Sequence, residues 1–268
     1  MNEMDTFVDE RDLKLLEADK YTFFVMRRIM QGETQILLSD HEKLIICFTG
    51  QPFPVWIWTR NGASEEEFAV AFETAKAQGL LNGEYRFNIK YETAEYFIRR
   101  AAEEGLSLKI STNMFAYDCQ EPVAPEAPFD GEPHCCTKED IEDIVDMMDL
   151  FHQEIVIDSQ NREEYRKAAE FFVQEKTLYL WKDGSGKNVA TCKYAPNNNG
   201  MASINLVFTR PEARRRHYAE NLVYYVSKLA LDQGLVPMLY TDADYVASNA
   251  CYEKIGYKLK GKLCTIGS

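Results

Sequence analysis

The sequence lacks any apolar run of the ~18–20 residues that would span a bilayer, so no membrane association is expected. Its start, Met1 to Lys14, is acidic and polar and has no apolar core like that of a secretory signal, so the expectation is a cytoplasmic protein. Positive charge is also scarce. Thirty Lys and Arg stand against 43 Asp and Glu, a net charge of −13. Such a surface repels phosphate backbones, which argues against a nucleic-acid partner, and it is compatible with cationic amines. The seven cysteines are odd in number, and Cys47, Cys192 and Cys251 lie inside apolar segments. Buried, reduced thiols are expected from them, not a disulfide framework. The cluster His134-Cys135-Cys136 has no second ligand pair at finger-like spacing, so no metal is expected.

What is present is core material. Hydrophobic residues make up 46% of the 268 and aromatics 12%, enough for one large domain or two of ordinary size. The stretch from Gln120 to Pro133 holds four of the nine prolines and resists both helix and sheet, so it reads as a connector. It separates an N-terminal part, 1–124, from a C-terminal part, 125–268.

In the C-terminal part, Thr137 is placed to cap a helix reaching about His152. Ile141, Ile144, Val145, Met148 and Phe151 recur at helical spacing, and Asp140, Asp143, Asp146 and Asp149 fill a solvated arc. A second helix is expected over 162–175. Strands follow at 177–182, 189–194 and 202–209, then a helix over 218–233, ended by Gly234, and a strand at 236–241. A short helix and a final strand pair complete the order. The pattern predicts an α/β (α+β) fold with a mixed, mostly antiparallel sheet flanked by helices. The N-terminal part repeats the later portion of this order, with strands at 36–38, 43–49 and 55–59, a helix over 65–78, a strand at 85–90, a helix over 94–104 and a last strand region at 106–117. Thr59-Arg60 and Gln78-Gly79-Leu80 find counterparts in Thr209-Arg210 and Gln233-Gly234-Leu235, which points to duplication. The interval from Arg60 to Gln78 is shorter than that from Arg210 to Gln233, as if one loop were missing.

That extra loop, between Thr209 and Ala219, carries the chemistry. It joins a buried strand to a helix, where unpaired N–H groups and the positive end of the peptide dipoles face outward. Arg214, Arg215 and Arg216 add charge, so phosphate oxygens can bind there. Here the sequence resembles the GNAT acetyltransferase superfamily. The family's cofactor pattern, Gln/Arg-x-x-Gly-x-Gly/Ala, is met by Arg214-x-x-His217-x-Ala219. A later segment is met more closely by Leu239-Tyr240-Thr241-Asp242 and by Ser248-Asn249-Ala250-Cys251-Tyr252 through Gly256-Tyr257. The order and separation of the two matches are the family's own.

The resemblance implies two GNAT-like domains in tandem, the N-terminal one degenerate, and an acetyl-CoA site in the second. The backbone of Leu206, Val207 and Phe208 would pair with the pantetheine arm. Amides from Arg215, Arg216, His217, Tyr218 and Ala219, beside Arg214, would hold the pyrophosphate. Asn249 would contact the coenzyme arm, and Tyr252 would protonate the departing thiolate. His217 stands where the family has glycine, which normally supplies a positive φ and close phosphate approach. The implied activity is N-acetyl transfer by direct attack of an amine, small-molecule or peptide. The alternatives are a noncatalytic acyl-CoA-binding regulatory module and an interaction scaffold. No general base is identified: Ser203, Asn205 and Thr209 are not acidic, and Asp242 and Asp244 are candidates that serve equally well as turn caps. The acceptor region is expected around Phe151–Asn161. In the N-terminal copy, Ser64-Glu65-Glu66-Glu67 would repel pyrophosphate. Trp56 and Trp58 there are either core or pocket residues.

Overall fold

The computed structural model describes residues 4–126, 129–155, 161–197 and 199–268. The chain divides into two compact units: Met1–Tyr117 with Tyr240–Val246 and Leu259–Ser268, and Asp118–Leu239 with Ala247–Lys258. Sequence reading places a single cut after 124. The contacts instead group the chain's last strand with the N-terminal elements, because that strand hydrogen-bonds to one of theirs.

The first unit opens with two short helices that periodicity did not announce, α1 (Glu10–Leu15) and α2 (Phe24–Ile29). Strands β1 (Ile36–Ser39), β2 (Leu44–Phe48) and β3 (Val55–Thr59) form an antiparallel meander. Helix α3 (Glu65–Ala77) then crosses over to β4 (Phe87–Ile89), which runs parallel to β3. A right-handed crossover through a helix is the standard way to join parallel neighbours. Helix α4 (Tyr91–Glu103) and strand β5 (Lys109–Asp118) follow. One face of this sheet packs Ile46, Ile57, Phe72, Phe87 and Phe97. The other packs Phe23, Met26, Ile45, Trp56 and Trp58. The alternation at Trp56, Ile57 and Trp58 thus sorts side chains onto opposite faces. Both tryptophans are core residues, and the Trp58 indole N–H donates to Asp19 at 2.8 Å.

The second unit begins with a departure from the connector reading. Glu132–Cys135 forms strand β6, paired antiparallel with β7 (Leu178–Lys182). Pro133 is tolerated because β6 lies at an end of the strand order, where one side of the strand needs no ladder N–H. Helices α5 (Ile141–Glu154) and α6 (Arg162–Glu175) lie between these two strands in sequence. Thr137 and Asp140 form a reciprocal cap one 3₁₀ turn ahead of α5. Strands β8 (Asn188–Pro196) and β9 (Met201–Thr209) continue the antiparallel meander, and helix α7 (Tyr218–Asp232) crosses to β10 (Val236–Asp242), parallel to β9. Helix α8 (Val246–Ile255) precedes one long strand, β11 (Lys258–Gly267), in place of the expected strand pair. Its later residues pair with β4, Cys264 opposite Ile89. The result is the mixed α/β class read from the sequence, with mostly antiparallel ladders and helices flanking them.

Candidate active site

β9 carries the first unusual feature. Thr191 of β8 faces Phe208 and Lys193 faces Asn205, so Leu206 and Val207 together oppose Cys192 alone. This is a β-bulge, and Leu206 at its centre has φ +49°. The Thr191 hydroxyl donates to the Leu206 carbonyl at 2.8 Å, fixing the bulge. A left-handed backbone at a branched residue costs about 1 kcal/mol or more, so the surrounding ladder must hold it. On the other side of β9, the parallel ladder with β10 is recorded over Met201, Ala202 and Ser203. The bulged part of β9 lies beyond it. Leu206 and Val207 are half-buried there, while the Phe208 ring packs edge-on to Phe151 with centroids 6.2 Å apart.

Past β9, the Pro211–Ala213 3₁₀ turn leads into the arginine-rich segment. Arg215 and His217 both adopt left-handed backbone, φ +61° and +62°. His217 therefore takes the conformation for which the family uses glycine, and histidine is among the residues that tolerate it best. α7 starts directly afterwards with no side-chain cap. Its first helical bond runs from Asn221 N–H to His217 O at 3.0 Å, so the amides of Tyr218, Ala219 and Glu220 precede the intrahelical ladder. An uncapped N-terminus beside two left-handed residues leaves N–H groups without intrahelical partners, which an anion can satisfy.

Arg214, Arg216 and His217 around it are held by acids. Arg214 bonds Glu154 at the end of α5, donates to Thr209 O at 3.2 Å and lies over the Phe208 ring. Arg216 meets Asp130 at 3.2 Å, and the buried Tyr218 hydroxyl donates to the same carboxylate oxygen at 2.6 Å. That hydroxyl bond, with the Gly184 amide and the Arg216 charge, keeps the Asp130 carboxyl below its ordinary pKa. The His217 imidazole lies 2.8 Å from Glu220, so its ring is drawn along the helix. Arg215 and Arg216 are exposed, and Ala219 is half-buried.

Asn249 and Tyr252 share the buried side of α8, three residues apart, as spacing on one helical face requires. Tyr252 packs edge-on to Tyr257 at 5.9 Å, and burial raises its phenol well above the ordinary value. Gly256 follows with φ +101°, and an added Cβ would meet the Glu121 carbonyl at 2.6 Å. Its role is the turn that leads into β11. Burial raises the thiol of Cys192, which is fully enclosed, well above its ordinary value, and that of Cys251 to about 11. Neither is poised as a thiolate nucleophile near neutral pH. Asp242 accepts the Asp244 N–H at 3.0 Å, a turn-capping bond, and both belong to the first unit. Within the proposed acceptor region, residues 156–160 lie outside the described residues.

Sequence reasoning did not find the acids Glu154 and Asp130, nor the buried arginine at the foot of the loop, Arg210. Their partners are distant in sequence, and only the Thr209-Arg210 landmark signalled any of them. Among the described residues, one group has metal-like spacing: Asp9, Asp12 and His41 in the first unit. Its atoms already bond one another, with His41 Nδ1 2.8 Å from Asp12 and Nε2 2.9 Å from Asp5.

Residues 141–257 match the family described as Acetyltransferase (GNAT) family. No curated relative matches the chain's sequence. Among solved structures, a Drosophila protein is similar at TM-score 0.68 and 12% identity, over 100% of this chain and 98% of its own. A GCN5-related N-acetyltransferase from Sphaerobacter thermophilus is similar at TM-score 0.67 and 14% identity, over 96% and 91%. A GNAT-family acetyltransferase from Colwellia psychrerythraea gives 0.60 and 11%, over 99% of both chains. At these identities the likeness is one of fold.

Proposed function

We propose, from the match of residues 141–257 to the Acetyltransferase (GNAT) family, that the second unit binds acetyl-CoA and transfers its acetyl group to an amine of a small molecule or peptide. The observation that carries this reading is the α7 start: an uncapped helix N-terminus, two left-handed residues before it, and arginines around it. The family uses acetyl-CoA as cosubstrate, and the groups present here fit its two polar parts. The amides from Arg215 to Ala219, beside Arg214, receive the pyrophosphate. The bulged backbone at Leu206–Phe208, beyond the parallel ladder with β10, offers N–H and C=O groups to the amide-bearing pantetheine arm. Asn249 supports that arm from α8.

Transfer requires a neutral amine held near the thioester carbonyl and a donor for the charge that develops on its oxygen. The Phe208 N–H serves as that donor. Attack is direct, as the family resemblance implies, and Cys192 and Cys251, whose thiols burial raises, take no nucleophilic part. Tyr252 is protonated at neutral pH, as a proton donor must be. The same burial makes it a weak acid, so its main contribution is a hydrogen bond to the departing sulfur. On this reading the first unit is a catalytically silent GNAT-like domain.

The test is thiol release from acetyl-CoA with a panel of amines, together with calorimetric binding of acetyl-CoA. Saturable binding with turnover is expected. Binding without turnover selects the noncatalytic acyl-CoA module, and no heat at millimolar cofactor removes the reading. Tyr252→Phe is expected to lower kcat about tenfold with little change in acetyl-CoA affinity. Equal losses in both would make Tyr252 a packing residue.

A further inference from the structure

Arg210 directly follows β9 and opens the loop that leads to α7, yet it is only 9% exposed. A buried guanidinium has to be fully paired to remain charged there. Its Nε donates to the Asn188 carbonyl at 2.9 Å, and Nη2 donates to Asp143 at 3.0 Å. Asn188 in turn donates through its side-chain amide to Asp143 at 3.0 Å and to Asp140 at 2.8 Å. Asp140 is the residue that caps Thr137 ahead of α5. The backbone at Arg210 is fixed as well. Its N–H donates to Val189 O, and its carbonyl accepts from Ala213 N–H, both at 2.9 Å. A strand end, a helix start and the foot of the loop are thus tied through one planar fork, a geometry that lysine cannot reproduce.

We propose that Arg210 is a positioning residue: with Asp143 and Asn188 it sets the take-off of the loop, so that the amides after Arg214 converge on the diphosphate of the coenzyme. Arg210 touches no ligand in this scheme. It acts on one part of the coenzyme, because the pantetheine-facing bulge is fixed separately by Thr191. The inference rests on the acetyl-CoA reading above, and its own signature is selectivity between coenzyme fragments.

The experiment uses the full chain as wild type, Arg210→Lys and Asp143→Asn. Affinity is measured by calorimetry for acetyl-CoA, and for S-acetylpantetheine, which lacks the diphosphate, by displacement with acetyl-CoA. Melting curves accompany each variant. The dissociation constant for acetyl-CoA is expected to rise about tenfold or more in both variants, while that for S-acetylpantetheine stays unchanged. Unchanged acetyl-CoA affinity, or equal weakening for both ligands, overturns the assignment. Asp143→Asn keeps the side-chain shape at a partly exposed position and supplies the answer if Arg210→Lys fails to fold. A wild-type protein that gives no heat with acetyl-CoA removes the cofactor reading itself, a result distinct from loss of fragment selectivity.

Discussion

Helices α3 and α7 each follow a strand that ends in Thr-Arg, yet their first turns are built in opposite ways. At α3, Ser64 accepts the Glu67 N–H while the Glu67 carboxylate accepts the Ser64 N–H, and Glu65 and Glu66 complete an acidic first turn. Arg60 then folds over this end and bonds Glu67 at 2.9 Å. The carboxylate occupies the place where an external anion would sit. It is held below its ordinary pKa, to about 2, chiefly by the Arg60 hydrogen bond. At the strand end beneath, the Lys90 ammonium donates to the Thr59 carbonyl, Asp19 and Asn61. At α7 no side chain caps the helix, Arg215 and His217 before it are left-handed, and Arg210 is drawn into the interior. One helix start supplies its own anion; the other leaves the position open. On the proposed reading, local side-chain chemistry at a helix end, more than the strand-helix-strand frame, decides whether such a frame takes a phosphate.

The largest test of that contrast places a carboxylate at the open end. Ala219→Glu is expected to reduce acetyl-CoA affinity about a hundredfold, through repulsion at the helix start and bulk against the amides. Calorimetry reads the loss, and a retained melting transition shows that the fold is intact. An affinity close to wild type would mean that the diphosphate does not lie at α7. A smaller change comes from the residue that departs from the family pattern. His217→Gly keeps the left-handed backbone without its strain and removes the imidazole beside the amides. Acetyl-CoA is expected to bind about threefold tighter, roughly 0.6 kcal/mol. Weaker binding would show that the imidazole helps to hold the ligand.

The smallest effect concerns the first unit, which also satisfies its polar groups internally around His41. Asp5, Asp9, Asp12 and Arg11 are the charged groups near its ring, and Ser39 donates to Asp12. Burial works against the charged imidazole, but the hydrogen bond and charge of Asp12, joined by Asp5, overcome it and raise the pKa. The proton's contribution to stability is therefore complete below the ordinary value of about 6.5 and is lost as pH rises through the higher folded value. Wild type and His41→Gln should differ most in melting temperature near about pH 6, and the gap should narrow toward about pH 8. A gap independent of pH would show that His41 is neutral in the folded protein.

Most strands and long helices were legible because each buries one face, and burial writes a period of two or 3.6 into the sequence. β3 matches its expected bounds, and α7 differs from its expected span by one residue. Helices α1 and α2 were not legible: each spans six residues, too few for a period to emerge. Strand β6 was hidden by Pro133, whose usual meaning is reversed at a sheet edge. At the candidate site, the loop and the α8 residues could be named from their motifs. The bulge at Leu206 left no mark, because a leucine in a strand-like run looks the same at any φ.

The sequence by itself determined the order of most strands and the long helices, the mixed α/β class, and the stretch of chain that matches the acetyltransferase family, since these follow from periodic burial and from contiguous motifs. Tertiary structure decided which unit receives β11, that Arg210 turns inward while Arg60 turns to its own helix, and that Glu154 and Asp130 hold the loop's arginines. Each of these depends on partners far apart in sequence, and hydrogen bonds between such partners leave no periodic trace in the chain.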